Sequence, residues 1–205
     1  MKKILLIAAL AMPLSLKATT VSLSSTATGP AVFQTDATTL VPNGSVIRIG
    51  TVTNLADPIG SFVEFGTGAV RSVGLGASAK PGKVAGSVTA IEAETAHDKF
   101  NGAAVYVWLY NGTSPLVSSA QGLFSTTALF PANDGPLGLN DGLTLASATQ
   151  ITGTVAIPGW ITASIQPGDA TNSSKFVLGA VVPEPTTTTF SGLVALAFMA
   201  RRKRA

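Results

Sequence analysis

Runs of apolar and β-branched residues recur every ten to fifteen positions along this chain, and none carries a helical period over eleven or more residues. The clearest are 45–53, 61–65, 69–73, 83–91, 104–110, 122–130, 143–154, 160–165 and 175–182. Between them stand turn sequences: VPNGS, ADPIG, AKPG, KFNG, YNGTSP, PANDGPLGLNDG, IPG and QPGD. Gly and Asn supply positive φ and Pro presets the first turn position, so these stretches break strands apart. Short strands at even spacing between such turns predict an all-β fold, an antiparallel β-sandwich or jelly-roll-like domain. Antiparallel pairing is expected because no segment is long enough to serve as a crossover helix. Ile91–Phe100 has room for one or two helical turns at most.

The run Ala104–Tyr110, AVYVWLY, constrains the fold most tightly. Alternation puts Val105, Val107 and Leu109 on one face and Tyr106, Trp108 and Tyr110 on the other. A strand apolar on both faces belongs at the centre of a sheet, covered twice. The segment 19–29, rich in Thr and Ser, is expected to be flexible.

Composition matters chiefly through where the charge lies. Seven of the thirteen basic residues fall in the two ends: Lys2, Lys3, Lys17, Arg201, Arg202, Lys203 and Arg204. Residues 19–182 hold six basic and nine acidic side chains, a net charge of about −3. With no basic patch in the body, nucleic acid is not an expected partner. The chain has no cysteine, so no disulfide supports it.

Each end reads as a transport label. Residues 1–18, MKKILLIAALAMPLSLKA, have a basic start, an apolar core over 4–11, a break at Pro13 and a small closing residue, Ala18. That is the pattern of a secretory signal peptide cleaved after Ala18. Its apolar core falls short of the roughly 20 residues that a stable membrane span needs. At the other end, 183–205, Pro183-Glu184-Pro185 is followed by threonines, an uncharged apolar run over 190–200 and the basic cluster Arg201, Arg202, Lys203, Arg204. As a helix that run covers about 17 Å of a hydrocarbon core about 30 Å thick, an anchor of marginal strength. The basic cluster is expected to stay cytoplasmic and so act as a membrane stop. Two prolines around Glu184 hold the backbone extended, the form in which a processing enzyme reads a substrate.

In this order, triplet, apolar segment and terminal basic cluster behind a signal peptide resemble the PEP-CTERM sorting signal of Gram-negative bacteria. The resemblance implies recognition of Pro183, Glu184 and Pro185 by an exosortase, a membrane-embedded cysteine transpeptidase that removes the tail. It also implies a transient inner-membrane anchor and a destination at the cell surface or in an exopolysaccharide-rich matrix. The apolar part is shorter than is usual in that family.

For the body, 19–182, the expectation is a non-enzymatic structural or adhesive protein that associates with exopolysaccharide and uses no cofactor. A carbohydrate-binding module is the alternative, with Trp160 and Trp108 as candidate glycan contacts. A cryptic hydrolase would have to draw on Glu64, Glu92 and Glu94, since glycosidases need only two opposed carboxylates. The single histidine, His97, has no cysteine or second histidine to complete a metal site. Asp134 and Asp141, in the repeated NDG of the glycine-rich loop, are candidate calcium ligands, because calcium accepts many oxygens in flexible geometry.

Overall fold

The computed structural model describes residues 18–65, 71–72, 82–91, 100–130, 142–145 and 150–180. Among them are thirteen strands and a single-turn 3-10 segment at Pro115–Val117. The described residues are therefore all-β, as the turn punctuation predicts.

A seven-stranded sheet forms the centre. Its members are β3 (Val46–Val52), β4 (Phe62–Glu64), β5 (Arg71–Ser72), β7 (Ala104–Tyr110), β8 (Ala120–Leu129), β10 (Ile151–Val155) and β13 (Gly179–Ala180). The order is β10-β8-β7-β3-β4, and every pairing in this sheet is antiparallel. β7 lies between β3 and β8, the central position that its two apolar faces require. Each edge carries two short strands in succession. β10 and β13 share the outer side of β8, while β4 and β5 share that of β3.

Two smaller sheets complete the body. One joins β6 (Ala85–Ile91), β1 (Ala18–Ser24) and β9 (Gly142–Leu145); the other joins β11 (Ser164–Pro167), β12 (Ser174–Val177) and β2 (Ala31–Phe33). Both contribute to one hydrophobic core against the central sheet. Val21 and Leu23 of β1, Val88 of β6, Val32 of β2 and Phe176 of β12 cluster with Ile47, Ile49, Val107, Leu109 and Phe124 of the central sheet. All are almost wholly buried, and burying each such side chain is worth about 1.5–3 kcal/mol. The result is sandwich-like, with the second layer split in two. Phe65, Phe100 and Phe130 close one part of this core, with ring centroids 4.9–5.1 Å apart.

The two small sheets are tied together through Lys83. Its ammonium donates to the Gly29 carbonyl at 2.7 Å and to Asn172 Oδ1 at 2.8 Å. Beside it, the Ser173 amide donates to the Thr28 carbonyl.

Two expectations are corrected and a third holds with two exceptions. The segment 19–29 is not a flexible lead-in: β1 pairs along its whole length with β6, from Ala18↔Ile91 to Ser24↔Ala85. Its Val21 and Leu23 alternate with Thr20, Ser22 and Ser24, a period of two that sends the apolar pair into the core. Pairing is antiparallel as expected, with two exceptions: β1–β9 and β2–β12 are parallel. These partners lie far apart in sequence, and the chain passes through other sheets between them, so no direct crossover helix is needed. Finally, the run 143–154 holds two strands in different sheets, β9 and β10, rather than one. The short helix expected near 91–100 falls mostly outside the described residues.

Candidate functional site

The second face of the central sheet carries the chemistry. β7 turns Trp108 and Tyr110 to this side, where they cluster with Val46 and Leu123. Register places Arg48 of β3 and Leu123 of β8 on either side of Trp108, and Gln121 opposite Tyr110. Gly50 stands between Tyr106 and Glu64 of β4. An added Cβ at Gly50 would run into the Val63 carbonyl oxygen, so this position must be glycine for β4 to approach. That approach brings Glu64 to Arg48, with Nε and Oε2 3.5 Å apart.

Aromatic rings fill the patch. Phe62 meets Trp108 edge-on at 5.1 Å, and the Tyr110 ring lies tilted against the indole at 5.0 Å. Ile157 and the half-buried Trp160 pack over them from the connection between β10 and β11. That connection is shaped by Ile157-Pro158-Gly159-Trp160, a turn closed by the Trp160 amide donating to the Ile157 carbonyl at 3.1 Å. Gly159 has φ +76°, the positive value that the third position of a type II turn demands.

Polar groups on this face are unusually short of partners. Glu64 Oε1, Trp108 Nε1, the Tyr110 hydroxyl and Gln121 Oε1 are buried with no hydrogen-bond partner on the chain, and Arg48 Nε has only its ion pair with Glu64 Oε2. Each such group forfeits about 1–3 kcal/mol of desolvation. The electrostatics follow from burial. Desolvation pushes the Glu64 carboxyl above its ordinary value, partly offset by the Arg48 charge. Desolvation likewise pushes the Tyr110 phenol far up, against Arg48, which lowers it, so the hydroxyl stays protonated. The patch thus combines donors (Arg48, Trp108, Tyr110), acceptors (Glu64, Gln121) and aromatic faces. They are packed beneath Trp160 and Ile157.

Trp108 is only 5% exposed, with Phe62 and Tyr110 packed against its ring, so it offers no open face for stacking a sugar. Tyr110 is wholly buried too, while Tyr106 is half-buried against the same cluster. Trp160 is half-buried and forms the outer edge of the same cluster. Glu64 faces Arg48; Glu92 and Glu94, the other carboxylates considered for hydrolysis, lie outside the described residues, as do His97, Asp134 and Asp141. Among the described residues no group of three or more His, Cys, Asp or Glu side chains could hold a metal ion. Sequence reasoning missed Arg48. Alternation in VIRIG places it opposite Ile47 and Ile49, but only register shows that it faces Trp108 and reaches Glu64.

Pro183, Glu184, Pro185, Arg201, Arg202, Lys203 and Arg204 also lie outside the described residues. Among those described, no helix is long and apolar enough to cross a membrane. The last described strand, β13, ends at Ala180. Fold and chain order together define an all-β body followed by a separate sorting segment. Residues 181–204 match the family model of the PEP-CTERM protein-sorting motif, so the chain carries a PEP-CTERM sorting signal, which implies exosortase-type export with transient membrane passage. No curated protein and no solved structure matches it.

Proposed function

We propose that the body is a non-catalytic structural or adhesive domain of the cell envelope or extracellular matrix, held among exopolysaccharide after its sorting tail has been read. The observation that carries this reading is the sorting motif beginning at residue 181, directly after the strand that ends at Ala180. Pro183, Glu184 and Pro185 would be the recognition element, residues 190–200 the membrane segment and Arg201, Arg202, Lys203 and Arg204 the stop. A signal peptide over 1–18 fits the same route. Cleavage after Ala18 would leave β1 intact but for its first residue.

Intact mass and fractionation of the protein from its own host test the reading. The expected result is surface or matrix material lacking residues 1–18 and the tail, released when exopolysaccharide synthesis is disabled. Glu184→Ala should leave the tail unprocessed. Cytosolic protein carrying both ends would refute the proposal.

A glycan-binding module is the second reading, favoured by the cluster of unpartnered donors and acceptors beneath Trp160. Under it, displacement of the 156–161 connection would admit a sugar to Arg48, Glu64 and Trp108. Glycan-array binding that disappears in a folded Trp160→Ala variant would support it, and a blank array for the native protein would end it.

A further inference from the structure

The chain leaves the body at one particular end of the central sheet. β13 runs antiparallel to β8, pairing Ala180 with Ala120, so its last residue lies beside the start of β8. The β7–β8 loop turns at this same end, since Tyr110 pairs with Gln121. The approach to β3 is there too, because the Val46 amide donates to the Gly112 carbonyl. So is the connection after β10: the Ile161 amide donates to the Ala180 carbonyl at 3.1 Å.

Three segments thus surround the exit, 41–46, 110–120 and 156–163, and none contains Asp, Glu, Lys, Arg or His. Two of them each hold a large aliphatic side chain in the open: Val117 is 69% exposed and Ile161 59%. Trp160, next to Ile161, is of the residue type that settles at the headgroup level of bilayers. From this end, residues 181–189 lead to the apolar run at 190–200. Fully extended they span at most about 30 Å, so an inserted tail holds this end of the body close to the lipid surface.

We infer that the end of the sheet formed by Val117, Ile161 and Trp160 is a lipid-facing surface that rests on the bilayer while the tail is inserted. The inference rests on the sorting reading, which supplies the membrane segment. Val117 and Ile161 dip into the headgroup layer, and the lack of acidic side chains spares the surface repulsion from anionic lipid.

Because the chain has no cysteine, single introduced thiols report position without interference. Full-length Val117→Cys, Ile161→Cys and Leu55→Cys variants are each labelled with a polarity-sensitive dye. They are then reconstituted into phosphatidylcholine–phosphatidylglycerol vesicles containing headgroup-spin-labelled lipid. Leu55 is the control, as it is 61% exposed and equally apolar but lies in the β3–β4 connection at the opposite end of β3. The expected result is flotation of all three proteins with the vesicles, with blue-shifted and quenched dye at 117 and 161 and neither effect at 55. Flotation with unquenched dye at either 117 or 161, or with equal quenching at 55, overturns the lipid-facing surface and leaves the anchor standing. Failure to float refutes the anchor and this inference together.

Discussion

The amide of Ile161 donates to the carbonyl of Ala180 at 3.1 Å, one residue before the sorting motif begins. This contact and the pairing of Gly179 with Gln121 stitch the end of the body into the central sheet. Among the described residues Leu178, 2% exposed, is the last side chain of the main core. The body's last contacts among the described residues are made at Ala180, and a cut beyond it is expected to matter little. A chain ending at Ala180 is expected to unfold in urea at the same midpoint as the full-length protein. Leu178→Ala should cost about 2–5 kcal/mol by creating a cavity. A large loss of stability on removing 181–205 would show that the tail is part of the fold.

The two tryptophans should separate in a mutational test. Trp108→Ala removes a buried ring packed against Phe62 and Tyr110, and the expected loss is about 3–5 kcal/mol. Trp160 is half-buried at the edge of the same cluster, so Trp160→Ala should cost less and leave the protein folded. Circular dichroism with urea titration decides the matter. Equal losses would mean that Trp160 is as much a core residue as Trp108.

How far the fold is legible in the sequence depends on the element. β7 is found with its observed bounds, because a strand apolar on both faces has one place to go. β1 is missed although Val21 and Leu23 alternate cleanly. Its neighbours are Thr and Ser, and it follows a leader-like segment that draws the eye to processing rather than packing. β2 is three residues long, and its parallel pairing with β12 joins positions some 140 residues apart, which local pattern does not encode. The same limit hides the candidate site. Arg48 and Glu64 are readable as strand residues, but their meeting depends on Gly50 admitting β4.

Stability should depend on pH in two opposing windows. The Asp36 carboxylate accepts bonds from the Thr39 hydroxyl and from the Thr39 and Thr38 amides, which lower it from 3.8 to about 2. Asp169 is lowered as well, first by the Thr171 hydroxyl and amide and then by Lys175. A lowered carboxyl stabilises the fold above its unfolded value, and that contribution is lost as pH falls below 3.8. Glu64 has the reverse sign. Burial raises it, so its ionisation opposes folding, and the penalty grows as pH rises through and beyond 4.5. Urea midpoints measured against pH should fall on both sides of a maximum near these values. Asp36→Asn should flatten the acid side and Glu64→Gln the other. An unchanged profile in Glu64→Gln would mean that Arg48 fully compensates the buried charge.

Gly50→Ala tests the step that assembles the patch. A methyl there would meet the Val63 carbonyl oxygen and come within 2.8 Å of Phe62 Cζ, both on β4. Backbone cannot swing aside as a side chain can, so β4 must shift, drawing Glu64 away from Arg48 and loosening Phe62 against Trp108. The expected loss is about 1–3 kcal/mol, the usual range for overpacking a close contact. Gly153→Ala is the matched control, as its closest obstacle is the Ser125 hydroxyl, which can rotate away. Tryptophan fluorescence should report the difference, with a shifted spectrum in Gly50→Ala and a native one in Gly153→Ala. If the two variants were equally stable and spectrally native, β4 would not be holding the Arg48–Glu64 pair over the aromatic cluster.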